Sequence, residues 1–203
     1  DRMEEAVELI LKCWTEPVPF GWEGEYYQYR AVSIWPRPIQ QPHPPIVMSV
    51  STDRSARIAA KFKAIAGILA LTSFDDARKT MDRYRQYARD AGWEPTAEHF
   101  TTGANCCIAP TYEEAKSHLE PSIEYFFGTL GGGIRTAQQI VIQKTRYFGS
   151  AQELEERRKT FVNMRQGGLS FDDKVEAGLM ICGTPEMAIE QIKRFHKELG
   201  IVH

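Results

Sequence analysis

Residues 46–71 read IVMSVSTDRSARIAAKFKAIAGILAL. The apolar run from Ile46 to Val50 is continuous rather than alternating, which predicts a strand buried on both faces. Ser51, Thr52 and Ser55 follow, hydroxyl residues of the type that opens helices, and Ser55 to Phe62 reads as that helix. A second apolar run, Ile65 to Leu71, begins almost at once. Strand, helix and strand in so short a stretch predict a βα unit with parallel strands.

The same grammar continues downstream. The second run leads into a helix from Ser73 to Ala91, with Ser73 and Asp76 as a capping box and Gly92 at its end. The third run, Thr101 to Ala109, leads to Thr111 and Glu114 in the same capping arrangement. A last helix opens with Thr184 as cap and Pro185 at its first position, ends at Gly200, and passes into Ile201-Val202-His203, the stub of a fourth strand. Between the third and fourth strands, residues 120–180 break the rhythm with Pro121, Gly131-Gly132-Gly133 and Gly167-Gly168. The pattern from Leu154 to Met164 is helical, so this stretch is expected to be a helical insertion that carries a mobile lid.

Upstream of the first strand, Met3, Ala6, Val7, Ile10, Leu11 and Trp14 share one face of a helix. Pro17 and Pro19 make a turn, GEYYQYRAVSI reads as an extended segment or hairpin, and WPRPIQQPHPP excludes regular structure. The whole is α/β, read as one domain over residues 1–203. Periodicity alone leaves two architectures open, half of a (β/α)₈ TIM barrel and an open doubly wound sheet.

The 25 basic and 27 acidic residues nearly cancel, and no basic run with interleaved aromatics offers a footprint for nucleic acid. No apolar stretch is long enough to span a bilayer, and the opening DRMEEAVELI lacks a signal-peptide layout. A small-molecule partner and a cytoplasmic location are expected. Cys13, Cys106, Cys107 and Cys182 form no CxxC pair and read as buried thiols. The five histidines are scattered, and no metal site is expected.

From Asp1 to about Ala60 the order and spacing of MEEAVELILKCW, GEYYQY, PRPIQQPHPP and IVMSVSTDRSARIAA resemble the luciferase-like flavin-dependent monooxygenases. The similarity continues in IAPTYEEA and CGTPEMAIEQIKRF. The resemblance implies a TIM barrel of which this chain is strands five to the beginning of eight, the C-terminal part. It also implies reduced FMN, supplied by a separate flavin reductase, reacting with O₂ to oxidise a small organic substrate. A homo-oligomer is expected at full length, and this stretch alone is expected to be inactive. Catalytic residues are unknown here, since the family's catalytic histidine is expected in the other half.

In that family the turn after the first strand of this chain holds the flavin phosphate, which here assigns Ser51, Thr52 and Ser55 to cofactor binding, with Arg54 able to add charge. Local sequence by itself favours a plain helix cap, and the resemblance reverses that preference. Tyr26, Tyr27 and Tyr29 are expected to pack rather than to stack on a ring, and Arg78, Lys79, Asp82, Arg83 and Arg85 to lie in solvent. Gly131-Gly132-Gly133 follows no strand and is assigned no phosphate. Three other functions remain open: a deazaflavin-dependent dehydrogenase of the same superfamily, a non-catalytic flavin- or partner-binding relative, and an unrelated barrel that binds a sugar phosphate.

Overall fold

The computed structural model describes residues 2–69, 72–126 and 169–201, with isolated positions between 129 and 140. The chain falls into two compact units, Asp1–Met48 and Ser49–His203.

In the first unit, helix α1 (Arg2–Thr15) precedes an antiparallel hairpin of β1 (Phe20–Glu23) and β2 (Gln28–Val32), in register Trp22↔Tyr29 and Glu23↔Gln28. The GEYY segment is the hairpin's turn. Glu5 of α1 organises it: one carboxylate oxygen accepts from Trp22 Nε1 at 3.1 Å and Tyr27 N at 2.9 Å, the other from Tyr26 N at 2.9 Å. Turn amides that the hairpin cannot pair are thus satisfied by a helix side chain. A Cβ on Gly24 would stand 1.7 Å from Glu5 Oε1, so a side chain here would displace that carboxylate from the turn. The expected packing of the tyrosines is met only at Tyr27, which is half-buried with the Arg2 guanidinium 5.7 Å from its ring centroid. Tyr26 and Tyr29 are each 47% exposed. Residues 33–46 carry no helix or strand, as the prolines require, and Trp35-Pro36 and Gln41-Pro42 are cis.

From a strand that crosses the boundary at Met48 onward, the chain is built of βα units. Strand β3 (Val47–Ser49) leads to α2 (Asp53–Lys61), β4 (Ile65–Ile68) and α3 (Phe74–Asp90). Then come β5 (Phe100–Thr102), β6 (Asn105–Ile108), α4 (Tyr112–Tyr125), α5 (Phe171–Glu176), β7 (Met180–Gly183) and α6 (Pro185–Leu199). One sheet has the order β3-β4-β5, with β4 and β5 parallel in register Gly67↔Thr101. Strand β3 is its edge among the described residues. A second, parallel pair joins β6 to β7, Cys107 opposite Cys182.

The third expected strand is therefore divided. Gly103 and Ala104 interrupt it, and its halves pair with different neighbours, a bend that feeds one run of chain into two sheets. Strand β7 was not expected at all; its four residues abut the cap of α6 and read as the tail of the insertion. Pro121 does not break the chain's rhythm either, since α4 runs through it. Burial of Ala115, Leu119 and Ile123 against Phe171, Met180 and Cys182 outweighs the roughly 3 kcal/mol that an interior proline costs. The lid expected around Gly131-Gly132, Leu154 to Met164 and Gly167-Gly168 lies outside the described residues. Ile201 is buried, and the two residues after it lie outside the described residues too.

Small residues bring α2 close to the sheet: Ala56, Ala59 and Ala60 are fully buried, as are Tyr84 of α3 and Phe100 of β5. The Tyr84 ring meets Trp93 and Phe100 edge-on at 6.1 and 5.5 Å, and its hydroxyl donates to Ala64 O. Burial of a side chain such as Phe100 contributes about 1.5–3 kcal/mol. These contacts hold the chain just after α2 against α3 and β5.

Candidate cofactor site

Val50, fully buried, closes the first strand of the sheet. Its N–H donates to Gly67 O at 3.2 Å and its carbonyl accepts from Arg83 Nη2 at 3.0 Å. The chain then turns through Ser51 and Thr52 into α2, which starts at Asp53, two residues before the expected start at Ser55. Thr52 is the cap. Ser55 N donates to Thr52 Oγ1 at 3.0 Å, and Thr52 N donates to Ser55 Oγ at 3.0 Å. This reciprocal box uses serine at the third helical position where glutamate or glutamine is usual.

The three residues assigned to the cofactor are thus brought together in one turn. Thr52 and Ser55, however, spend hydroxyl contacts on each other, Thr52 Oγ1 to Ser55 Oγ at 2.8 Å, and so shape the turn. The positive end of the α2 dipole lies at the same place.

Two features of the turn come from α3 and were not foreseen. Arg83 was expected in solvent with its neighbours, but it braces Val50, and its Nε is buried with no partner among the described residues. Lys79 and Asp82 do lie in solvent, their side chains 77% and 73% exposed. Arg78 instead reaches Glu198 of α6, and Arg85 covers the Phe100 ring at 4.9 Å. The second feature concerns Asp53, the first residue of α2. Its Oδ1 accepts from the Tyr87 hydroxyl and its Oδ2 from Arg57 Nη2 at 3.3 Å, while the Arg57 guanidinium lies 4.7 Å over the Tyr87 ring. Burial, then the hydrogen bond to Asp53, raises the Tyr87 phenol above its ordinary value, which keeps it a donor.

A hydroxyl-rich turn at a helix N-terminus suits an anion such as a flavin phosphate. A separate apolar cavity of about 440 Å³ lies between the bend at Thr102–Ala104 and Ile192, Phe195 and His196 of α6. His196 Nδ1 is tied to Ile201 O at 2.8 Å, and His99 Nδ1 accepts from Thr96 N at 3.1 Å, so both rings serve the fold. The four cysteines are free, and Cys106 is exposed rather than buried.

A family model described as luciferase-like monooxygenase matches residues 1–203. No curated protein matches. Among solved structures, the monooxygenase RslO1 from Streptomyces bottropensis is similar at 25% identity and TM-score 0.62, over 98% of this chain and 51% of that one. The oxygenating constituent of 3,6-diketocamphane monooxygenase from Pseudomonas putida, in complex with FMN, is similar at 17% identity and TM-score 0.55, over 97% of this chain and 53% of that one. The coenzyme F420 dependent tetrahydromethanopterin reductase from Methanopyrus kandleri is similar at 19% identity and TM-score 0.61, over 98% of this chain and 55% of that one. The chain spans about half the length of these structures.

Proposed function

The chain belongs to the luciferase-like monooxygenase family, and on that premise we propose that it supplies the phosphate-holding side of a flavin-type cofactor site in an oxidoreductase. The observation that carries this reading is the turn from Ser51 to Ser55, which joins a buried strand end to the N-terminus of α2 with Arg83 behind it. In our reading the turn receives the phosphate of FMN, and the enzyme oxidises a small organic substrate with O₂. Bound reduced FMN supplies the oxygen chemistry. The residues of this chain bind and orient it: the α2 dipole and hydroxyls hold the phosphate, and Arg83 fixes the peptide from which the turn departs.

We read β3, β4 and the bent β5–β6 as strands five to seven of a TIM barrel, with Ile201 at the beginning of the eighth. Apolar residues at strand ends support this: Leu69 is 55% and Ile108 52% exposed, whereas parallel strands are ordinarily covered on both faces. A barrel interior would cover them. A deazaflavin-dependent dehydrogenase is the second reading, favoured by the likeness to the F420-dependent reductase.

The test is to titrate the full-length protein with FMN and with coenzyme F420, then to follow oxygen consumption with each reduced cofactor. Tight FMN binding with FMN-dependent oxygen uptake is the expected result. Binding of F420 without oxygen uptake would replace the monooxygenase by the dehydrogenase, and binding of neither would leave a non-catalytic relative.

A further inference from the structure

A phosphate at the N-terminus of α2 meets an obstacle in Asp53, whose carboxylate belongs to the first residue of that helix. An acid there favours the helix dipole, but it repels an arriving dianion. Both carboxylate oxygens are engaged by side chains. The Tyr87 hydroxyl of α3 holds Oδ1, and Arg57, one turn further along α2, holds Oδ2 at 3.3 Å. Arg57 also lies over the Tyr87 ring at 4.7 Å and reaches the Tyr87 hydroxyl at 3.4 Å, so the three groups form a closed cluster.

We propose that Tyr87 and Arg57 are positioning residues that hold and neutralise the Asp53 carboxylate, leaving the Ser51–Ser55 turn open to a flavin phosphate. The inference rests on the cofactor reading above. Neither residue touches the cofactor; each acts through Asp53. Arg57 supplies the countercharge and Tyr87 the neutral donor that fixes direction, with α3 as the anchor. Replacing Tyr87 by Phe keeps the ring under Arg57 and removes only the hydroxyl, so the carboxylate regains freedom to turn toward the phosphate.

The test measures FMN and riboflavin binding to the full-length protein and to Tyr87→Phe, Asp53→Asn and the Tyr87→Phe/Asp53→Asn double variant. Tyr87→Phe is expected to weaken FMN about threefold to tenfold at low salt, less at high salt, from a carboxylate moving to roughly 5 Å from the dianion. Riboflavin, which has no phosphate, is expected to bind unchanged. Asp53→Asn should bind FMN at least as tightly as the unmodified protein, and the double variant should match it. A purely structural tie predicts equal losses for both flavins and no rescue by Asp53→Asn, and that outcome overturns the proposal. If FMN binds more tightly than riboflavin but Tyr87→Phe changes nothing, the clasp fails and the phosphate site stands. If the unmodified protein binds both flavins equally, both fall.

Discussion

Arg83 Nη2 of α3 donates to the carbonyl oxygen of Val50 at 3.0 Å, which fixes the last buried peptide before the turn into α2. A charged donor to a buried carbonyl contributes more than a neutral one. Arg83→Met keeps most of the apolar stem but leaves the carbonyl unpaired. We expect a loss of about 1–3 kcal/mol in urea denaturation, together with weaker FMN binding. An unchanged midpoint would show that the contact contributes nothing to the fold.

Gly178 has φ 78°, and a Cβ there would lie 2.5 Å from Phe74 Cζ. Phe74 cannot easily yield, since it is buried and meets Phe195 edge-on at 4.9 Å. Gly178→Ala combines a left-handed backbone with overpacking, so it should cost about 2–4 kcal/mol. Thermal unfolding measures it; a shift smaller than that of a surface Gly→Ala variant would contradict the packing described.

Asp172 of α5 accepts from the Tyr112 hydroxyl and from Lys116 Nζ at 3.1 Å, tying α5 to α4. The Tyr112 bond first, then the Lys116 bond, holds the Asp172 carboxyl below its ordinary value of 3.8. Because the folded value is the lower one, the stabilisation is full above the unfolded value and fades as pH falls through the folded value. Hydrogen exchange in α5 should therefore accelerate as pH drops below about 4, after correction for intrinsic rates. Asp172→Asn should exchange faster at neutral pH and lose part of that pH dependence, the remainder coming from Asp173, whose bonds to Ser170 hold its carboxyl low as well. An identical profile in both proteins would show that the tie does not hold α5.

Burial first, then the neighbouring Cys107 thiol, pushes Cys182 up to about 11. Cys106 faces the other side of the same sheet and is exposed, although burial raises its thiol too. Iodoacetamide at mildly alkaline pH should alkylate Cys106 in the native protein and reach Cys182 only after unfolding. Simultaneous labelling, read by peptide mass, would contradict the register that turns Cys182 into the α4 core.

Local grammar made much of this legible. Caps at Ser73, Thr111 and Thr184 stand where their side-chain chemistry placed them, because a cap needs only its own helix. What escaped was tertiary. The apolar run at Thr101–Ala109 carries no mark of two different partners except Gly103, and Met180–Gly183 is a strand only because β6 lies beside it. At the candidate site, the hydroxyls of Ser51, Thr52 and Ser55 were visible in the sequence. Arg83 and Tyr87 were not, since their positions amid charged residues of α3 resemble a solvated face until α2 and β3 are set against them.

Whether the Ser51–Ser55 turn holds a flavin phosphate is decided by paired titration. FMN and riboflavin differ only in that group. Ser51→Ala/Ser55→Ala removes the Ser51 hydroxyl and dismantles the box through which Ser55 shapes the turn; with one charge-assisted hydrogen bond worth about 1.5–3 kcal/mol and a cap about 1 kcal/mol, FMN should bind roughly tenfold to a thousandfold more weakly in the full-length protein. Riboflavin affinity should hardly move. Equal losses for the two ligands would mean that the turn caps α2 and does nothing more.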